Sequence, residues 1–403
     1  MKILIATAVY YPMINGVAVF SHNLALGLSE RGHEVVVVCP SQNGKNYTEM
    51  QDGVKVCYLK SIQAKVYPDQ IHAVPKKKKL FYKHGFRVSV FPRRQIKKIM
   101  DNFQPDVVHV QVSDMIGLSV VSYARKIGVP VVTTEHNQPN VITEPLKLGL
   151  IKKPANSVLT AYFFNRQNKS DFVTMPTEKA IKDLIKARGK EFKVPVAAVS
   201  NGVDLKNFCY KKAPKGLYEK YGLRPHYKTV LYLGRIDPEK NLEPAIDAFL
   251  EAKKTIPDIQ LVMVGDGVDK SRLEKKTAGI KDLHFLGRIV VPELYEVYHL
   301  GDVFATASEI ETQGIVLIEA AACGLPLVAV DAGAVSEICV NGKNGILCKP
   351  GDLSELSHAL SLLLTDDELR EKYAKKSLEI VKKHDFENTL DQFENIYKHV
   401  TKK

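Results

Sequence analysis

Two short segments combine charged residues at spacings that suit a nucleoside diphosphate. The first is Gly234-Arg235-Ile236-Asp237-Pro238-Glu239-Lys240-Asn241, where an arginine and a lysine five residues apart follow an apolar run, Thr229–Leu233, through a glycine. A guanidinium fork and an ammonium point charge on one loop make a diphosphate clamp. Taken alone, the pair reads more readily as two surface cations on a loop. The second segment is Ser308-Glu309-Ile310-Glu311-Thr312-Gln313-Gly314-Ile315, a polar, glycine-containing turn that runs into an apolar helical stretch, Ile315–Ala322. A helix beginning there points backbone N–H groups and the positive end of its dipole at a phosphate. Glu319 lies inside that apolar stretch, where a carboxylate is rarely buried without a partner. It either occupies an exposed helical position or accepts hydrogen bonds from a vicinal diol such as a ribose.

The elements that must position these groups alternate along the chain. Short apolar runs at Lys2–Thr7, Val35–Cys39, Val54–Leu59, Val107–Val110, Val129–Thr134, Phe172–Met175 and Val196–Val199 read as strands. Segments of helical periodicity separate them, notably Val17–Arg31, Arg93–Asn102, Leu118–Lys126 and Glu178–Lys186. A second series follows Asn201-Gly202-Val203-Asp204, with strands at Thr229–Leu233, Gln260–Val264, His284–Phe285, Val303–Ala305, Leu327–Val330 and Ile346–Leu347. Helical patterns lie near Leu242–Lys254, Val291–Leu300, Ile315–Ala322, Leu353–Leu364 and Asp366–Lys383. Strand–helix alternation predicts parallel sheets covered on both faces. The expected organisation is two α/β domains, residues 1–200 and 201–385, with a final helix near 386–403 packing back on the first. Residues 207–227 read as a linker or domain entry. Such a pair of domains is expected to hold its ligands in a cleft at the carboxyl ends of both sheets.

The 403 residues are ample for two such cores. No apolar run reaches the length of a membrane-spanning helix, and the N-terminus lacks the pattern of a secretory leader. The six cysteines are scattered without a Cys-x-x-Cys pair, which argues against a metal site or a disulfide scaffold and fits a reducing cytoplasm. No Gly-x-Gly-x-x-Gly follows the first strand, no Gly-Lys is followed by Ser or Thr, and neither Gly-x-Ser-x-Gly nor His-Glu-x-x-His occurs. Dinucleotide, P-loop, serine-hydrolase and zinc-protease chemistries therefore have no anchor.

The net charge of +12 is concentrated. Between Lys60 and Met100, twelve Lys or Arg stand against one acid, Asp69. Lys76, Lys77, Lys78, Lys79, Lys83, Arg87, Arg93, Arg94, Lys97 and Lys98 interleave with Phe81, Tyr82, Phe86 and Phe91. A solvated basic face is the plainest reading. Basic residues among aromatics also suit an anionic membrane surface. Nucleic acid is not expected as a partner, because no binding fold or aromatic sheet accompanies the charge.

Taken together, Gly234-Arg235-x4-Lys240 and Ser-Glu-x-Glu-Thr-Gln-Gly-x4-Glu-Ala, with Glu311 and Glu319 as a Glu-x7-Glu pair, resemble the retaining nucleotide-sugar glycosyltransferases of the GT-B fold, glycosyltransferase family four. Asn15-Gly16-Val17 resembles the family's glycine loop, Pro105-Asp106-Val107-Val108-His109 one of its strands, and Asn201-Gly202-Val203-Asp204 its interdomain segment. The resemblance implies two Rossmann-like doubly wound domains facing across a deep cleft. It implies that Arg235 and Lys240 hold the donor diphosphate, that Glu319 binds the ribose and that Glu311 contacts the transferred sugar. Gly314 and Ile315 would offer backbone donors, and Gly16 would lie over the reaction centre. No cofactor or metal is expected, the nucleotide sugar being the co-substrate.

Thr134-Glu135-His136-Asn137-Gln138-Pro139 resembles a stretch of members that glycosylate lipids, including diacylglycerol glucosyltransferases, and would place His136 near the sugar and the acceptor hydroxyl. His109 is a weaker acceptor-side candidate that equally well just ends its strand. Glu-Thr-Gln-Gly at 311–314, the basic region and Leu146–Ile151 followed by Lys152-Lys153 favour a glycerolipid acceptor. The expectation is hexose transfer, glucose from UDP-glucose, to a lipid such as diacylglycerol by an enzyme at the inner face of the membrane. A soluble or polyprenyl-linked saccharide acceptor is the runner-up, and NDP-sugar epimerisation stands behind it.

Overall fold

The computed structural model describes residues 1–11, 13, 15–63, 87–112, 114–136 and 152–402. Lys76–Lys79 and residues 137–151 lie outside the described residues. The chain forms two compact units, one of Met1–Asn201 with Thr389–Lys403 and the other of Gly202–Asn388.

In the first unit the strands are β1 (Lys2–Ala6), β2 (Glu34–Pro40), β3 (Tyr47–Gln51), β4 (Val54–Leu59), β5 (Ser61–Gln63), β6 (Arg87–Ser89), β7 (Val107–Val110), β8 (Val131–Thr134), β9 (Phe172–Met175) and β10 (Val196–Ala198). Eight of them make one sheet in the order β10-β9-β8-β7-β1-β2-β4-β3, while β5 and β6 form a separate antiparallel ribbon. Val35–Cys39 in β2 and all of β7 and β8 are buried, as strands covered on both faces must be. The sheet is parallel except at its edge, where β3 pairs antiparallel with β4. The all-parallel expectation is corrected there. Gln51 pairs with Val54 across Asp52-Gly53, both at positive φ, a two-residue hairpin turn whose Asp-Gly signal stands in the sequence. The helix Arg93–Phe103 buries Ile96, Met100 and Phe103 and leaves Arg93, Arg94, Lys97 and Lys98 exposed.

The second unit holds β11 (Lys228–Leu233), β12 (Ile259–Val264), β13 (Leu283–Gly287), β14 (Val303–Thr306), β15 (Leu327–Val330) and β16 (Gly345–Cys348), paired β13-β12-β11-β14-β15-β16 and parallel throughout. Counting along its own chain, that order is three-two-one-four-five-six. The parallel strands of the first unit, β1, β2, β4, β7, β8, β9 and β10, follow the same winding. Both are doubly wound sheets, and in each the winding reverses at one point, between β1 and β7 and between β11 and β14. The carboxyl ends of strands at such a reversal leave a crevice for ligands. Residues 207–227 are not a linker: Phe208, Leu217 and Leu223 enter the core of this unit beside Tyr298 and Phe304.

Candidate active site

The loop leaving β11 is held by backbone packed on backbone. A Cβ at Gly265 would stand 1.8 Å from the Gly234 carbonyl oxygen, and one at Gly267 would stand 2.2 Å from that of Ile236. Only glycine lets the loops after β11 and β12 cross so closely, and their crossing fixes where Arg235 emerges. The Tyr232 hydroxyl donates to the Arg235 carbonyl at 2.8 Å, and the Arg235 guanidinium donates to Asp237 and Glu239. Lys240 closes the short turn Pro238–Lys240, and its Nζ lies 2.7 Å from Glu311 Oε1. The two side chains are only 17% and 13% exposed, so this is no screened surface pair.

Glu311 comes from the loop after β14, the strand beside β11. Its carbonyl accepts from the Ala334 N–H at 3.0 Å, and a Cβ on Gly333, at φ +54, would come within 2.5 Å of that oxygen. The helix Ile315–Ala322 then starts at Gly314, in the left-handed region with φ 80, and no side chain caps it. The Leu317 N–H donates back to the Gly314 carbonyl at 2.9 Å, while the N–H groups of Ile315 and Val316 have no carbonyl within the helix and carry the positive end of the dipole. Glu319 sits one turn further on. The Tyr298 hydroxyl donates to its Oε2 at 2.5 Å, yet loss of solvation outweighs that bond and pushes the carboxyl up to about 7.

Lys240 and Glu311 are thus in contact, whereas Arg235 is tied to its own loop and Glu319 to Tyr298. All of them, with Gly314 and Ile315, are carried on segments that follow β11 and β14 at the reversal point. Tyr298, Gly265 and Gly333 had no reading from sequence. The glycines carry a signal, each following a buried strand, but Tyr298 lies on a separate turn with nothing local to mark it.

In the first unit His136 follows β8 and is buried. Its Nε2 lies 2.7 Å from Gln111 Oε1, and its ring meets Phe20 edge-on at 5.1 Å. With the amide oxygen accepting, Nε2 carries the proton and Nδ1 is left as an acceptor. Desolvation lowers the imidazole to about 3, so it is neutral near pH 7. Gly16 is the exposed first residue of the helix Gly16–Glu30 that carries Phe20; Asn15 caps it, accepting from the Ala18 N–H at 2.9 Å.

His109 sits within β7 and is wholly buried. Its Nδ1 lies 2.7 Å from the Tyr397 hydroxyl and its Nε2 2.7 Å from Thr134 Oγ1, which shares a 2.6 Å hydrogen bond with Thr174. Burial and the neighbouring His136 take it down to about 3. Reading His109 as an acceptor contact is corrected by this position, because neither ring nitrogen is left to meet one. Through Gln111, whose amide nitrogen lies 3.2 Å from His109 Nε2, it supports His136 instead. Arg93 and Arg94 stand apart from this group, on the first turn of their amphipathic helix.

Residues 217–379 match the family profile described as Glycosyl transferases group 1, and residues 14–207 that of Glycosyltransferase Family 4. The chain belongs to the GT-B glycosyltransferases. This glycosyltransferase is 28% identical to the alpha-monoglucosyldiacylglycerol synthase of Acholeplasma laidlawii over 358 residues, 86% of its own chain and 84% of that protein. It is 27% identical to a GDP-mannose-dependent alpha-mannosyltransferase of Mycobacterium tuberculosis, over 93% of its chain and 90% of that protein. Among solved structures, Anabaena HepE in complex with UDP-glucose superposes with a TM-score of 0.73 at 18% identity, covering 99% of this chain and all of that one. That similarity establishes the shared fold.

Proposed function

We propose that this glycosyltransferase moves a hexose, glucose from UDP-glucose, to a hydroxyl of a membrane glycerolipid such as diacylglycerol, with retention at the anomeric carbon. The observation that carries the chemistry is the grouping of Arg235, Lys240 and the uncapped Gly314–Ile315 helix start on segments following adjacent strands. As the bond from the anomeric carbon to the diphosphate breaks, the electron pair goes to the phosphate oxygen. Fixed cations and a helix dipole stabilise that developing charge without reorganising. Glu319, with one oxygen on Tyr298, offers the other to a ribose diol, and Glu311 meets hydroxyls of the transferred sugar. The acceptor hydroxyl attacks from the face the diphosphate leaves, and its proton passes to the leaving oxygen. His136, at about 3, is too weak a base to take that proton; it accepts a hydrogen bond and orients the hydroxyl. No cofactor enters this scheme.

The lipid acceptor rests on the Acholeplasma relative and on the basic helix Arg93–Phe103, preceded by Phe91, which is 92% exposed. Basic side chains beside an exposed aromatic suit an anionic headgroup layer, and Lys76–Lys79 belong to the same proposal. Among the described residues no helix is long and apolar enough to cross a membrane. Peripheral attachment to the inner membrane face follows as part of the proposal.

The test combines a panel of nucleotide sugars with liposomes of diacylglycerol and anionic phospholipid, followed by mass and NMR analysis of the lipid extract. An α-linked hexosyl diacylglycerol is expected. Hexose transferred only to added soluble saccharides would replace the lipid acceptor, and release of an epimerised sugar with no acceptor product would replace the reaction.

A further inference from the structure

One buried cation of the N-terminal unit has no part in the reaction above. Arg87 opens β6 and is 4% exposed. Its Nε donates to the Ser41 carbonyl and to Ser61 Oγ, both at 2.9 Å, and Nη2 donates to the Ser61 carbonyl at 2.9 Å. Each of these acceptors is neutral. Nη1 is buried and bonds to nothing among the described residues. Burial lowers the pKa of Arg87, and among the described residues no acid opposes that shift. An ionised group taken out of water is costly unless a counter-charge meets it, and arginine does not neutralise itself by losing its proton.

The loop after β2 and the ribbon frame the guanidinium. Ser41 follows β2 directly, so Arg87 packs against a loop at the carboxyl edge of the parallel sheet. Gly44, at φ +80, belongs to the same loop. A Cβ there would stand 3.2 Å from Arg87 Nη2 and 3.4 Å from the Ser61 carbonyl, so glycine keeps the edge of the guanidinium clear. Gln42, also buried on this loop, leaves its Oε1 unpartnered. The loop and ribbon therefore hold both an unused donor on a fixed cation and an unused acceptor.

We propose that Arg87, framed by Ser41, Ser61 and Gly44, binds the phosphate group of an ester that also carries a hydroxyl. The planar fork matches phosphate oxygens and Gln42 accepts from the hydroxyl. Both a phosphatidylglycerol headgroup and a soluble phosphate ester have this chemistry. The site stands on its own geometry and is independent of the acceptor proposed above.

The experiment uses the full chain carrying Lys240→Ala, which removes a donor-side cation, with and without Arg87→Lys. Glycerol 1-phosphate is titrated by calorimetry. Binding is also measured to vesicles whose equal negative charge comes from phosphatidylglycerol or from oleate. Saturable binding of glycerol 1-phosphate, weakened at least tenfold by Arg87→Lys, supports the site with a soluble ester as its ligand. Preference for phosphatidylglycerol over oleate, abolished by Arg87→Lys, supports it with a headgroup as the ligand. If Arg87→Lys fails to fold, Gly44→Ala keeps the guanidinium and crowds its edge, and the same tenfold loss is expected. Absence of both kinds of binding, or binding indifferent to both substitutions, overturns the proposal.

Discussion

Glu319 and Lys240 each make a chemical commitment that can be measured. A carboxyl raised to about 7 in the folded unit holds its proton between pH 4.5 and 7, where the unfolded chain has lost it. Its contribution to stability is complete below 4.5 and is lost as pH rises through 7. Glu319→Gln should therefore make the C-terminal unit more stable than wild type at pH 8, by about 3 kcal/mol, and equal to it near pH 4.5. Chemical denaturation at the two pH values checks this. A ribose diol needs the ionised carboxylate, so wild-type nucleotide affinity should climb through pH 7 while that of Glu319→Gln stays flat. Lys240→Ala should lower kcat on the order of a hundredfold. If Lys240 served only to neutralise Glu311, adding Glu311→Gln would restore the rate; as a diphosphate ligand, it should leave the double variant no faster than Lys240→Ala.

Two element-level features deserve equally direct tests. Gly265→Ala drives a methyl into the Gly234 backbone at 1.8 Å, so the loops after β11 and β12 must part. It should cost about 3 kcal/mol or more and displace Arg235. Gly279→Ala is the control: φ is +84 with nothing within 4 Å, and the expected cost is about 1 kcal/mol. Urea midpoints separate the two. In the first unit, β7 and β8 bury His109 and His136 as neutral rings, both lowered to about 3. The unfolded rings take up protons below about 6.5, so this stability is present above 6.5 and is lost as pH falls toward 3. His109→Gln should reduce the acid slope by about one proton, or 1.4 kcal/mol per pH unit, in denaturation series between pH 6.5 and 4.

At the scale of the whole molecule, the chain closes the first unit with its last helix, whose residues from Thr389 onward count with that unit. Phe393 and Tyr397 are fully buried there, Phe393 at 5.0 Å from the His109 ring and 6.0 Å from that of Phe20. Phe393→Ala should cost about 3–5 kcal/mol. Hydrogen exchange should show protection lost in β1, β7 and β8 and retained in β11 and β14. Uniform loss across both units would mean that they unfold as one.

Local pattern made much of this legible. Runs such as Val35–Cys39 and Ile315–Ala322 encode their own burial, and strand–helix alternation implies parallel sheets covered on both faces, because a parallel strand must be reached by a crossover. The spacing of Arg235, Lys240, Glu311 and Glu319 already singles out the two segments that the fold carries after the adjacent strands β11 and β14. What stayed hidden was partnership across the chain. Lys240 meets Glu311 71 residues away, and His109 meets Tyr397 at a separation of 288. The same holds for Tyr298 beneath Glu319 and for Arg87 against Ser41 and Ser61. Periodicity records which face of an element is buried, but not which other element buries it. That choice belongs to strand order and packing, which exist only once the chain has folded.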